Sequence, residues 1–336
     1  MKVGAVLVTS ILLVEEIIFK KIQAKNILKA FIRNNKYIGS KDRKLLYEIT
    51  FNILKKYFRL LYICKAYNIN SSIRNLALFN FSNKFKHHNL EDLYHGKYSL
   101  KKKDEDLYIF NKAINFRDEI KPMLPDWLEK KILIKTETEK KSFYNSILLE
   151  PKFDIAINLM KYSREDVKNK LKKHNIICSF TKSSTVGITV NNRIPNNTLI
   201  KIKSDMFEVQ DEGSQLMTLL IGVEKNMKIL DMCAGKGTKT ILMSNLLKSE
   251  GFITASDKIK ERLGVLKNRV KELKLKNINF DFDEKKQGQF DLVLCDVPCS
   301  GTGTWRRRPE NIMWLKNKEL NKLKLVQNNI LYNAAE

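Results

Sequence analysis

The residues best suited to chemistry lie in Phe290 to Glu310, FDLVLCDVPCSGTGTWRRRPE. Leu292 to Cys295 is a continuous apolar run, entered by Asp291 and left by Asp296. That pattern predicts a strand buried on both faces, as in a parallel sheet. Val297 precedes Pro298 and is thereby held extended. The chain leaves the strand stiffly and presents Asp296 and Cys299 together at the strand's carboxyl end, the edge where open α/β sheets bind ligands. Ser300 to Gly303 then form a loop, followed by Trp305 and the basic run Arg306, Arg307, Arg308. A carboxylate, a thiol and a basic loop at one sheet edge suit chemistry on an anionic polymer. The competing reading is a buried thiol beside a solvated basic loop. The placement of Pro298–Cys299 at the edge of the sheet, and not inside it, argues against that.

The elements that must position these groups begin at Gln210, where the pattern becomes alternating strand and helix. Ser214 to Val223 reads as an amphipathic helix and Met227 to Met232 as a strand. A sharp turn follows through Cys233, Ala234, Gly235, Lys236 and Gly237, then a helix over Thr238 to Leu247. Phe252 to Ser256 is a second strand, ending at Asp257, and Ile259, Leu263, Leu266, Val270 and Leu273 share one face of the next helix. Ile278 to Phe282 is a third strand and Phe290 to Cys295 a fourth. The series predicts a doubly wound parallel sheet.

The glycine turn lets a ligand approach the backbone, and the helix start offers free N–H groups to an anionic group. Asp257, at the end of the second strand, is placed to accept both hydroxyls of a ribose. A nucleoside cofactor fits, either NAD or S-adenosyl-L-methionine. The NAD fingerprint wants a third glycine where this chain has Thr240. A phosphate-cradling P-loop would need four residues between its glycine and Gly-Lys, which this turn lacks. The balance favours S-adenosylmethionine.

Upstream, residues 1–148 read as all-helical. Val3 to Val14 is apolar, but Glu15 and Glu16 follow at once and the run is too short to span a bilayer, so it reads as a buried first helix. Leu45, Leu46, Ile49, Ile53, Leu54, Tyr57, Phe58 and Leu61 recur at helical spacing, with Ser40 placed as a cap. Phe85 to Asp106 is polar and reads as a loop, and Pro125–Asp126 as another helix start. Residues 149–212 read as a small α+β unit: a strand over Phe153 to Leu159, a basic helix over Arg164 to His174, a strand over Val186 to Val190, and a turn-rich stretch from Ile194 to Ile202. Residues 213–336 hold the sheet and its candidate chemistry.

Lysine plus arginine number 62 against 37 acids, a net charge of +25, the electrostatic footprint of a nucleic-acid binder. An AT-rich genome would also enrich Lys, Asn and Ile, so charge alone does not decide. Cys64, Cys178, Cys233, Cys295 and Cys299 form no CxxC pair and no metal-ligand spacing with the histidines. The expectation is a chain of the reducing cytoplasm with no metal, no membrane segment and a monomeric state.

DMCAGKGTKT and DVPCSGTGTWRRRPE resemble the cofactor loop and the Pro-Cys motif of the RsmB/Sun (Fmu) family of RNA cytosine-C5 methyltransferases. VQDEGSQL is similar to that family's lead-in, and IGSKDRKLLYEITFNIL resembles its NusB-like amino-terminal RNA-binding domain. The resemblance implies a Rossmann-like class I S-adenosylmethionine methyltransferase sheet, preceded by an all-α NusB-like domain and a small α+β unit. It implies that Cys233, Ala234, Gly235, Lys236, Gly237, Thr238 and Lys239 wrap the methionine and ribose, although Gly235, Lys236 and Thr238 depart from the commoner CAAPGGKT form. It places Asp257 on the ribose and Asp283 by the adenine amino group, with Asp281 a close competitor. Asp296 would face the methyl donor and target base, and Arg306 and Arg307 the RNA. Small-subunit ribosomal RNA is the implied substrate.

The implied reaction needs a thiol because cytosine C5 is too weak a nucleophile to take a methyl group directly. A thiolate adds to C6 and makes C5 enamine-like; after methyl transfer, loss of the C5 proton expels the thiol. In the family the Pro-Cys cysteine, matching Cys299, assists product release, and the nucleophile lies in a later Thr-Cys motif. This chain stops at Glu336 within LVQNNILYNAAE, similar to the helix before that motif, and no Thr-Cys follows. A truncated product, a fragment or half of a split gene is expected, with impaired or absent turnover. Cys299 could take over attack, as the Pro-Cys thiol does in DNA cytosine-C5 methyltransferases. Two rival classes are a catalytically dead RNA-binding protein and a methyltransferase of another nucleophile, such as a protein amide or RNA amine.

Overall fold

The computed structural model describes residues 1–117, 123–191, 202, 205–248, 250–281 and 289–335. They form two compact units: one of Met1–Pro151 with Cys299–Lys322, the other of Lys152–Pro298 with Leu323–Glu336.

Among its described residues, the regular elements of the first unit are all helical. Helices α1 (Val3–Lys20), α2 (Ala24–Asn34), α3 (Ser40–Ala66) and α4 (Ile73–Lys84) precede α5 (Asp106–Asn115), a single turn α6 (Asp126–Glu129) and α7 (Glu137–Leu148). The apolar run at the amino terminus is indeed a buried helix: Leu7, Val14 and Ile17 join Leu46, Ile49 and Ile53 of α3 and Leu76, Leu78, Phe79 and Phe81 of α4 in one core. The expected cap at Ser40 differs by one position. Gly39 is the N-cap, with no side-chain cap, and Ser40 is the first helical residue. The polar stretch from Phe85 to Asp106 holds one 3-10 turn at Leu90–Leu93. A second core joins Met123, Leu124, Leu128, Tyr144 and Ile147 to Trp305 and Ile312. Ile312 lies on the short helix α12 (Asn311–Trp314), and helix α13 (Asn317–Ala335) follows.

The second unit carries two four-stranded sheets. The first is antiparallel, built from β1 (Phe153–Ile157), β2 (Cys178–Phe180), β3 (Gly187–Val190) and β4 (Phe207–Val209) in the order β2-β3-β1-β4, with helix α8 (Arg164–Lys173) against it. Most of the expected turn-rich stretch from Ile194 to Ile202 lies outside the described residues. Helix α9 (Glu212–Leu220) leads into the second sheet, of β5 (Lys228–Asp231), β6 (Phe252–Ser256), β7 (Ile278–Asp281) and β8 (Leu292–Leu294) in the order β7-β6-β5-β8. Every pairing in it is parallel. Helices α10 (Thr238–Leu246) and α11 (Lys260–Leu273) make the crossovers, burying Ile241, Met243, Leu263, Leu266 and Val270 against Ile229, Ile253 and Ile278. Ala156, Val186 and Leu242 form a small shared core between the two sheets.

One expectation for this sheet fails. The strand over Leu292–Leu294 is half-buried along its length and not buried on both faces. The cause is its place in the order: among the described strands it pairs with β5 alone and is the edge strand.

Candidate active site

Parallel register aligns the strand exits. Ile229 is level with Ile253 and Leu292, and Asp231 with Ala255 and Leu294. Ser256 is level with Asp281. Asp231, Asp257, Asp281 and Asp296 therefore all lie at or just beyond the carboxyl ends of neighbouring strands, an acidic edge in a basic chain.

The bend after β5 is fixed by backbone bonds to both adjacent strands. The Met232 N–H donates to the Leu294 carbonyl at 3.0 Å and the Ala234 N–H to the Ser256 carbonyl at 2.9 Å. The Gly237 N–H donates to the Ala234 carbonyl at 2.8 Å, closing the turn before α10. Gly235 and Gly237 have φ of +56° and +79°, the left-handed region that a side chain disfavours. Their surroundings differ. A Cβ at Gly237 would fall 1.9 Å from Leu266 Cδ1, whereas at Gly235 the nearest atoms are 3.9 Å away. Gly237 packs against Leu266 of α11, whereas a Cβ at Gly235 would meet Asp257 and the Cys233 carbonyl only at ordinary contact distance.

Asp257 holds that bend. Its Oδ2 accepts the Gly235 N–H at 2.8 Å and its Oδ1 accepts the Ile259 N–H at 2.8 Å. A carboxylate offers about four acceptor positions, so each oxygen retains one for a diol. Lys239, in the first turn of α10, donates to Asp296 Oδ2, joining the glycine turn to the exit of β8. The Asp296 side chain is 55% exposed. Lys236 is exposed, and its carbonyl accepts from Arg269, which also pairs with Glu208 at 2.5 Å. Thr238, Lys239 and Thr240 open the helix, where N–H groups have no intrahelical acceptor.

Burial disfavours the thiolate form of two cysteines near this edge. Burial, aided by Cys295 and the carboxylates of Asp257, Asp231 and Asp296, pushes Cys233 up to about 11. Burial and then Asp231 raise Cys295. Cys299 is exposed and free. It directly follows Pro298, whose carbonyl accepts from Gln327 Nε2 at 2.8 Å.

The basic run belongs to the helical unit. Trp305, 4% exposed, and Ile312 anchor it in the second core of that unit. Arg306 is half-buried and Arg307 exposed. Glu310, 1% exposed, accepts the Ala24 N–H at 3.0 Å and so caps the start of α2. Lys55 of the same unit donates to the carbonyls of Leu148 and Leu149. Its pKa is lowered first by burial, then, against the pull of Glu150, by Lys84 and Arg306.

The structure thus brings Cys233 to Lys239, Asp257 and Asp296 to one sheet edge, whereas Cys299, Arg306 and Arg307 fall in the helical unit. Asp283 lies outside the described residues; Asp281 ends β7. Sequence reasoning missed Asp231. It is 1% exposed, and its Oδ2 accepts the Thr240 hydroxyl at 2.6 Å. The signal was present: an acid closing the first strand, with a threonine where a dinucleotide fingerprint would have glycine.

The family described as 16S rRNA methyltransferase RsmB/F matches residues 217–336, which contain the whole parallel sheet. That segment, about a third of the chain, is similar to the RsmB/F methyltransferases. The probable ribosomal RNA small subunit methyltransferase B of Bacillus subtilis is 27% identical over 198 residues, 56% of this chain and 43% of that protein. The human 28S rRNA (cytosine(4447)-C(5))-methyltransferase is 29% identical over 162 residues, 46% of this chain and 20% of that protein. The chain spans half or less of the length of such curated relatives. In fold, the chain is similar to the solved structure of PH0851, with a TM-score of 0.70 and 18% identity over 100% of this chain and 83% of that one. NSun6 from Pyrococcus horikoshii, solved with SFG, matches 58% of this chain and 76% of its own at a TM-score of 0.50 and 18% identity. The sheet has the Rossmann-like methyltransferase fold.

Among the described residues no helix is long and apolar enough to cross a membrane, and no group of three or more His, Cys, Asp or Glu side chains could hold a metal ion.

Proposed function

We propose that this chain uses S-adenosylmethionine to methylate cytosine C5 in RNA, with small-subunit ribosomal RNA as the substrate. The observation that carries the reading is the Gly235 bend. It is an open left-handed turn whose N–H is held by Asp257, at an edge where Asp296 projects beside it. The donor set suits S-adenosylmethionine. Asp257 retains acceptor positions for a ribose diol, Cys233 to Lys239 surround the methionine and ribose, and Asp296 offers a carboxylate to the methyl donor and target base. When bound, the cofactor supplies an electrophilic methyl group.

The residues of this chain do the rest. Arg306 and Arg307 take RNA phosphates, and the target base leaves its stack or comes from a single strand. A thiolate must add to C6 before C5 can act as a nucleophile, and it leaves when the C5 proton is lost. Burial raises the thiols of Cys233 and Cys295 and so disfavours their thiolates. Cys299 is the Pro-Cys thiol, and the assay defines its role.

The test uses the purified chain, RNA containing 5-fluorocytidine and labelled cofactor. A covalent RNA adduct that disappears in Cys299→Ser makes Cys299 the attacking thiol. Transfer to the C5 of ordinary cytidine without such an adduct leaves Cys299 to product release. Absence of both adduct and transfer refutes the chain as a working cytosine methyltransferase.

A further inference from the structure

Asp231 is a buried acid with no assigned task. It closes β5 immediately before the glycine bend and is 1% exposed. Oδ2 accepts from Thr240, while Oδ1 is buried without a hydrogen-bond partner among the described residues. A buried carboxylate oxygen left unpartnered is costly, and the cost falls if the group carries a proton or if positive charge arrives beside it. The neighbours do not provide that charge. Asp257 comes from the exit of β6, Asp296 and Cys295 from β8, Cys233 from the bend itself, and Lys239 and Thr240 from α10. Lys239 is a cation in this set, but its ammonium is engaged by Asp296. Arg262 lies beyond, 4.0 Å from Asp257.

We infer that Asp231 is a proton-coupled positioning residue for the bend, giving up its proton to solvent when a cationic ligand occupies the space over Gly235. This rests on the reading of that space as the S-adenosylmethionine site. The ligand carries a sulfonium and an ammonium against one carboxylate, so it brings net positive charge to an edge that holds four aspartates. On release, the Asp231 O–H bond breaks, the electron pair stays on the carboxylate and the proton passes to buffer. Thr240 continues to donate to the same oxygen in either state. Burial, opposed by Thr240 and reinforced by Asp296, lifts the free carboxyl to about 6, which places the exchange in an accessible range. Charge-neutral S-adenosylhomocysteine brings less positive charge and displaces less of the proton.

The experiment is calorimetric titration of the whole chain with S-adenosylmethionine and with S-adenosylhomocysteine, near pH 6, in buffers of different ionisation enthalpy. The expected result is release of roughly half a proton on binding S-adenosylmethionine, less on binding S-adenosylhomocysteine, and roughly five- to tenfold tighter binding of S-adenosylmethionine between pH 5 and pH 7.5. Asp231→Asn binds with no proton release and a flat pH profile. Thr240→Val removes the hydrogen bond that favours the charged form, so the midpoint of the profile moves to higher pH. Wild-type binding without proton release overturns the inference, as does release that survives in Asp231→Asn or a Thr240→Val midpoint that does not move. Failure of the wild type to bind either ligand is a different result, and it refutes the site itself.

Discussion

Gly235 and Gly237 share a left-handed backbone but should respond differently to the same substitution. Alanine at either position costs about 1–2 kcal/mol for the conformation alone. At Gly237 the added methyl would also lie 1.9, 2.7 and 2.9 Å from three atoms of Leu266. Leu266 is 0% exposed and packed in the core of the sheet unit, so it has nowhere to swing. Overpacking of that kind costs a further ~1–3 kcal/mol. Gly237→Ala should therefore lose about 2–5 kcal/mol, a fall of roughly 5–15 °C in the melting of a unit this size. Gly235→Ala meets no atom closer than 3.9 Å and keeps its N–H for Asp257, so it should lose only about 1–2 kcal/mol. Its effect should appear in ligand binding, because the methyl occupies the space over the bend. Urea unfolding followed by near-ultraviolet dichroism, with calorimetric titration of each variant, separates the two. Equal stability losses, or a greater loss at Gly235, would refute the assignment of packing to one glycine and ligand access to the other.

Three further outcomes follow from buried charge. Asp231 rises from 3.8 to about 6 on folding, so its contribution to stability is complete below the unfolded value and is lost as pH rises through about 6. Two units correspond to ~3 kcal/mol, and Asp231→Asn should be more stable than wild type at neutral pH but not at about pH 4, measured by urea unfolding at both. Glu310→Ala removes the acceptor that caps α2 and should destabilise the helical unit by ~1 kcal/mol. Burial already raises the Glu310 carboxyl, so Glu310→Gln, which keeps an acceptor, should be nearly neutral in the same thermal melt. Arg74 pairs with Asp106 at 2.6 Å, and Asp106 is 1% exposed. Arg74→Met should cost about 3–5 kcal/mol by stranding a buried carboxylate. Burial alone would raise Asp106, but Arg74, Tyr94 and the Lys103 N–H hold it below its usual range. The wild type should therefore lose this contribution only as pH falls through that lowered value, which acid titration of the melting temperature reads directly.

The parallel sheet was legible because its strands are short apolar runs separated by an amphipathic helical period. Phe252 to Ser256 was read to the residue, and the ends of β5 and β7 to within one. The strands Cys178–Phe180 and Phe207–Val209 were not read. Each has three residues and takes its conformation from distant partners, Val190 to Ile188 for the first and Ile155 to Ile157 for the second. Within the site, glycine positions and strand-terminal acids carry local signals, so Gly235, Gly237, Asp257 and Asp296 stood out. Asp231 carries the same signal, but nothing local tells a solvated strand-terminal carboxylate from one buried against Thr240. Glu310 was hidden for a related reason. It sits in a basic run that reads as surface, yet its partner is an N–H far away in the chain, at Ala24.

The chain leaves the sheet unit at Pro298 and returns at Leu323. A gene cut after Pro151 would therefore not yield an intact helical fragment. It would strip Trp305 and Ile312 from Met123, Leu124, Leu128, Tyr144 and Ile147, uncovering an oily surface, and leave the start of α2 without Glu310. Anyone dissecting this molecule would need to graft residues 299–322 onto the amino-terminal piece by a linker.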